Sequence, residues 1–179
     1  MTFTSALILL SFLPLSGKET VRVKDHEYPV QYESQSVKWR LRGTEHFRYK
    51  VVFSVFTAAY YKQIDGNGKV LRFTYTRSLK AKDLREQAMK TLRNQNSEQT
   101  LKEFEELTGR IQSAYEDVSD GDAYTITVIP GQGTWLHRND QEVFFTENAG
   151  FGEWYLNIWL GDPPISADLK TALTQGPDS

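Results

Sequence analysis

The chain has 179 residues, 39% of them hydrophobic and 25% charged, which excludes wholesale disorder and suits one domain with a sizeable core. Lys+Arg is 21 against Asp+Glu 23, a net charge of −2, so there is no electrostatic case for a nucleic-acid binder. Zero Cys excludes a disulfide scaffold, a cysteine zinc site and a thiol nucleophile, while 13% aromatic residues favour a sheet-rich core or an apolar pocket.

Residues 1–17 carry no charged side chain, and the apolar run from Ala6 to Leu15 is too short to span a bilayer. It fits the apolar region of a signal peptide, with small Ser16 and Gly17 before polar Lys18-Glu19, although no Lys or Arg precedes it. The expected division is a signal peptide over 1–17 and one domain over 18–179, periplasmic or secreted, with no integral membrane segment in the mature chain.

Residues 20–32 read as a short hairpin turning near Asp25-His26, and Val37 to Leu41 as a further short strand. Residues 47–62 are the longest extended candidate. Tyr49, Val51, Phe53, Val55, Thr57, Ala59 and Tyr61 form one register, and the other starts at Arg48 and Lys50 and reaches Phe56 and Tyr60. Asp65-Gly66-Asn67-Gly68 then predicts a hairpin into Val70 to Arg77. An EF-hand starting at Asp65 fails, because its twelfth position is Thr76 where a bidentate Glu is needed.

The spacing of Leu84, Ala88 and Leu92 predicts a helix over about 80–94. A second helix follows, capped by Asn96 or Ser97, with Leu101, Phe104, Leu107, Ile111 and Tyr115 at helical spacing. Glu103, Glu105 and Glu106 on it read as a solvated face beside Lys102 and Arg110. Strands are predicted over Asp122–Ile129, Thr134–Arg138 and Glu142–Thr146, turning at Pro130–Gly133 and at Asn139-Asp140. Two helices close the chain, one from about Gly152 to Leu160 with Gly161 as its stop, the other capped by Ser166. Strands, helices, strands, helices in segregated runs indicate an α+β domain, a large antiparallel sheet with helices packed on one face.

Few motifs carry chemistry. His26, His46 and His137 lack ligand spacing, so no metal site is expected and no cofactor is implied. Gly131-Gln132-Gly133 leads into a strand and reads as a turn, not a dinucleotide loop. No Gly-x-Ser-x-Gly elbow and no Walker loop occurs. Arg48 and Lys50, on the register of Phe56 and Tyr60, place cations at the mouth of an aromatic channel or simply expose them at a strand end. Trp154 and Trp159 either line a cavity or pack helix on sheet.

The run Ile158-Trp159-Leu160-Gly161-Asp162-Pro163-Pro164-Ile165 leading to Leu169-Lys170 resembles the ending of bacterial chalcone isomerase-like proteins. Gly121-Asp122 with Pro130-Gly131-Gln132-Gly133-Thr134, and Val55-Phe56-Thr57-Ala58-Ala59-Tyr60-Tyr61, are similar to the family's hairpin and long strand. The resemblance implies a sheet covered by helices, a cleft between them, and export in many bacterial members. Plant isomerases of this fold hold an oxyanion with an Arg and nearby hydroxyls, and non-catalytic relatives bind fatty acids with the matching Arg and a Tyr. Arg48 best matches that Arg, with Arg42 as the alternative, and Phe56 falls where the family has Thr or Tyr. A lost hydroxyl donor costs an oxyanion about 3 kcal/mol. The expectation is an exported, non-catalytic domain binding a small amphipathic carboxylate such as a fatty acid through Arg48, Lys50, Phe56 and Tyr60. The alternatives are an intramolecular lyase or isomerase, and a protein-interaction module whose cleft its own side chains fill.

Overall fold

The computed structural model describes residues 19–50 and 52–176; the expected signal peptide over 1–17 lies outside them. The strands in chain order are β1 (Thr20–Val23), β2 (His26–Pro29), β3 (Gln31–Ser34), β4 (Val37–Tyr49), β5 (Phe53–Gln63) and β6 (Lys69–Tyr75). Helices α1 (Ala81–Gln95), α2 (Glu98–Glu103) and α3 (Glu105–Ser113) follow, then β7 (Ala123–Ile129), β8 (Gly133–Arg138) and β9 (Gln141–Thr146), and finally α4 (Ala149–Leu160) and α5 (Ala167–Thr174). β3 to β9 form one antiparallel seven-stranded sheet in sequence order, and β1 pairs only with β2. The large antiparallel sheet with helices packed on it is the expected architecture.

Period two divides the sheet into two faces. On the helix-covered face, Phe56, Ala58 and Tyr60 of β5, Leu71 and Phe73 of β6 and Ile126 of β7 pack with Leu92, Ile111, Phe151, Tyr155 and Ile158. Each buried Leu, Ile or Phe among them contributes about 1.5–3 kcal/mol by leaving water. The opposite face gathers Tyr28, Tyr32, Trp39, Ala59, Tyr61 and Val70 into a second cluster. Helix cover on one side and this cluster on the other leave every residue of β7 buried.

Gly152 is the point of closest approach between α4 and the sheet: a Cβ there would collide with the Thr134 side chain and sit 2.6 Å from Val128 Cγ2. The helix starts are chemically ordinary. Asn148 Oδ1 accepts from Phe151 N at 2.9 Å, and the Ser97 and Ser166 hydroxyls accept from Thr100 N and Leu169 N, each at 3.3 Å.

Two elements differ from expectation. Residues 47–62 are not one strand: β4 ends at Tyr49, and β5, antiparallel to it, starts at Phe53. Lys50 takes φ 50°, a left-handed conformation that costs a non-glycine residue about 1–2 kcal/mol, and Val52 N donates to Lys50 O at 2.8 Å. The segment contains no Gly, Pro or Asn, so its composition reads as strand throughout, and cross-strand pairing of the flanking residues sets the turn. The separate short strand at Val37–Leu41 is correspondingly the first part of β4. The second difference is Phe104, where the single expected helix breaks into α2 and α3.

Candidate functional site

Burial divides the four expected site residues. Phe56 and Tyr60 lie on the helix-covered face of β5, 8% and 3% exposed. Arg48 and Lys50 stand exposed at the far end of the β4–β5 hairpin. Phe56 is enclosed by Phe47, stacked at 4.9 Å between centroids, and by Phe73 at 5.1 Å and Tyr75 at 6.2 Å. β-Bulges between Leu41 and Gly43 and between Phe47 and Arg48 shift the β4–β5 register, and Arg48 pairs with Ser54. Tyr60 pairs with Gly43. Burial pushes its hydroxyl up to about 12; Glu153 adds to the rise and Arg42 opposes it. The cation whose field reaches Tyr60 is thus Arg42, and Glu153 is itself ion-paired with Lys69. Of the two tryptophans, Trp154 packs on Phe104 at 4.8 Å and donates its indole N–H to Asn96 Oδ1 at 2.8 Å. Trp159 lies 4.8 Å from Phe73.

A groove of about 500 Å³ runs between α1 and the α2–α3 pair. On α1, Ala88 and Leu92 turn into the core, which leaves Met89 and Arg93, one turn apart, facing the groove. Leu101 and Lys102 come from α2, and Thr108, Gly109 and Gln112 from α3. Thr108 and Gln112 are 6% and 8% exposed. Thr108 Oγ1 and Gln112 Oε1 have no hydrogen-bond partner among the described residues. An unmet buried polar atom costs about 1–3 kcal/mol, and here two lie one helical turn apart along the same groove. Beneath them Gln112 Nε2 donates to Tyr155 OH at 2.7 Å, and Tyr155 OH donates to Tyr115 OH at 3.4 Å. Burial raises both tyrosines, so these hydroxyls stay neutral.

Gly109 interrupts α3 at a cost of about 1 kcal/mol against Ala, yet a Cβ there would meet nothing within 4 Å. Core packing therefore does not require the glycine; its effect is to leave the groove wall low. At the rim, Arg93 and Lys102 belong to none of the ion pairs among the described residues, and Glu98 and Glu105 stand on the same rim. A second groove, about 670 Å³, lies between α3 and β9. Its cation, Arg110, is already engaged, donating to Phe145 O at 3.0 Å and lying 5.4 Å over the Phe144 ring. Neither groove is lined by Arg48, Lys50, Phe56 or Tyr60.

Sequence reasoning missed Thr108 and Gln112. The available signal was their position four residues apart, flanking the apolar stripe of Phe104, Leu107 and Ile111.

Comparison with known proteins gives the class. The family of chalcone isomerase-like proteins matches residues 20–174, and the chain belongs to that family. Among solved structures it is similar to a fatty-acid binding protein of Arabidopsis thaliana, with a TM-score of 0.66 and 12% identity over 88% of this chain and 96% of that one. At that identity the likeness concerns the fold. A comparison with curated proteins finds no match.

Proposed function

We propose that this domain binds a small amphipathic ligand, of the fatty-acid class, without catalysing its conversion, and that the α1–α3 groove receives it. The observation that carries the reading is the pair of buried, unpartnered atoms, Thr108 Oγ1 and Gln112 Oε1, on a groove with Met89 and Leu101 on its walls. The apolar walls suit an acyl chain, the two atoms suit a polar group along it, and Arg93 and Lys102 suit a carboxylate at the rim. The fold neighbour that binds fatty acids lends support to the ligand class. Phe56, enclosed by aromatic rings where the isomerases carry a hydroxyl, supports the non-catalytic part.

The test is titration of long-chain fatty acids, and of the matching alcohols, into the purified chain. Acids are expected to bind more tightly than alcohols. Gly109→Leu, on the wall this groove shares with the α3–β9 groove, narrows it without touching the core, and it is expected to weaken binding at least tenfold (about 1.4 kcal/mol). Arg93→Ala with Lys102→Ala is expected to remove the preference for the acid. Binding that ignores these variants but is lost in Arg48→Ala places the site at the hairpin end instead. Absence of binding, or chalcone turnover that depends on Arg48, overturns the reading.

The same reading includes export of the mature chain to the periplasm or medium of a bacterium, from the apolar run Ala6–Leu15. The intact mass of the protein secreted from a bacterial host checks it; a mass retaining residues 1–17 counts against it.

A further inference from the structure

The described residues include six exposed large hydrophobic side chains, and three of them, Tyr49, Val52 and Phe53, fall within five positions at the end of the β4–β5 hairpin. Their exposures are 57%, 73% and 51%, the three highest of the six. Scattered single exposures are ordinary, but three at one hairpin end form a patch. Cations surround it. Arg48 and Lys50 are exposed on the same turn, and Lys50 Nζ lies 5.5 Å over the Tyr49 ring. Arg77, also exposed, follows Thr76, whose amide donates to Val55 O at 3.0 Å and whose hydroxyl lies 2.5 Å from Ser54 Oγ. None of these three cations joins an ion pair among the described residues. The local charge opposes that of the chain, which is −2 overall.

We propose that this hairpin end docks the protein on an anionic lipid surface. Val52 and Phe53 enter the boundary between headgroups and acyl chains, Tyr49 sits at headgroup level, and Arg48, Lys50 and Arg77 face lipid phosphates. Aromatic and aliphatic side chains at a tip ringed by unpaired cations match that surface in both hydrophobicity and charge. A protein partner would need an acidic apolar pocket shaped to the turn. The inference is independent of what fills the α1–α3 groove.

The experiment is co-sedimentation of the full chain with vesicles of phosphatidylcholine alone and with about 30% phosphatidylglycerol, at low salt and at about 0.15 M salt. Binding is expected on the anionic vesicles, weaker at the higher salt, and at least about tenfold weaker on neutral ones. Val52→Ser with Phe53→Ser is expected to lose most of that binding, and Arg48→Glu with Lys50→Glu to abolish the preference for anionic lipid. All four side chains are exposed, so circular dichroism of the variants should match the parent chain. No partition onto anionic vesicles, binding unaltered by both double variants, or a concentration-dependent dimer broken by Val52→Ser with Phe53→Ser, each overturns the proposal.

Discussion

His137 stands in β8 with 3% of its surface exposed, and its Nδ1 has no hydrogen-bond partner among the described residues. Burial holds its imidazole below the ordinary value; Asp140 pulls it up and Arg72 pushes it further down. A depressed histidine takes up its proton more readily in the unfolded chain. Stability is therefore complete above the unfolded value of about 6.5 and falls as pH drops from there toward the folded value. The urea midpoint is expected to decline between pH 7 and pH 5, and His137→Phe to flatten that decline. An unchanged slope in the variant removes His137 as the cause. His46 is also lowered, by burial first and then by Arg48 and Lys24, but it is only partly buried and its share is smaller. At this scale the sequence was legible where alternation governs. Phe56 and Tyr60 share one register of the strand pattern, and both are buried on the helix-covered face. Thr108 and Gln112 were not legible, because a Thr and a Gln on an amphipathic helix look like solvent-facing residues until a second helix covers them.

The β1–β2 hairpin shows how a small element is secured. It pairs with no strand of the large sheet and lies against its open face. Tyr28 OH is 2.7 Å from Thr57 Oγ1 and donates to Thr74 Oγ1 at 3.1 Å, and Thr57 Oγ1 is 3.1 Å from His26 Nδ1. Tyr28→Phe keeps the ring and removes the link, so a loss of about 1 kcal/mol is expected. Amides of Val21 to Tyr28 should exchange faster in hydrogen-exchange measurements while those of β7 keep their protection. Equal protection of the hairpin in both proteins would show that ring packing alone holds it. Strong local signals marked other elements correctly. Asp65-Gly66-Asn67-Gly68 separates β5 from β6, and Ser166 caps α5. The turn after Tyr49 has no such signal, since Lys50, Val52 and Phe53 are compatible with a continuing strand. Pairing of Phe47 with Phe56 and of Arg48 with Ser54 settles it.

At the scale of the whole molecule, helices cover one face of a seven-stranded antiparallel sheet and an aromatic cluster covers part of the other. With no Cys, this packing on both faces stabilises the fold without any disulfide. The sheet's order follows the chain, so each neighbour is joined by a short turn except β6 and β7, between which α1 to α3 are inserted. That insertion creates the α1–α3 groove, and the reversal after Tyr49 creates the cationic, aromatic end. The sequence by itself determined the α+β class, the alternation of strand runs and helix runs and the family motifs, because periodicity, caps and turn residues act over a few positions. Only the tertiary structure decided that Arg48 and Lys50 stay exposed at the hairpin end while Phe56 and Tyr60 are buried, and that Thr108 and Gln112 line a groove. Those outcomes depend on contacts between residues far apart in the chain, and such contacts leave no periodic trace in the sequence.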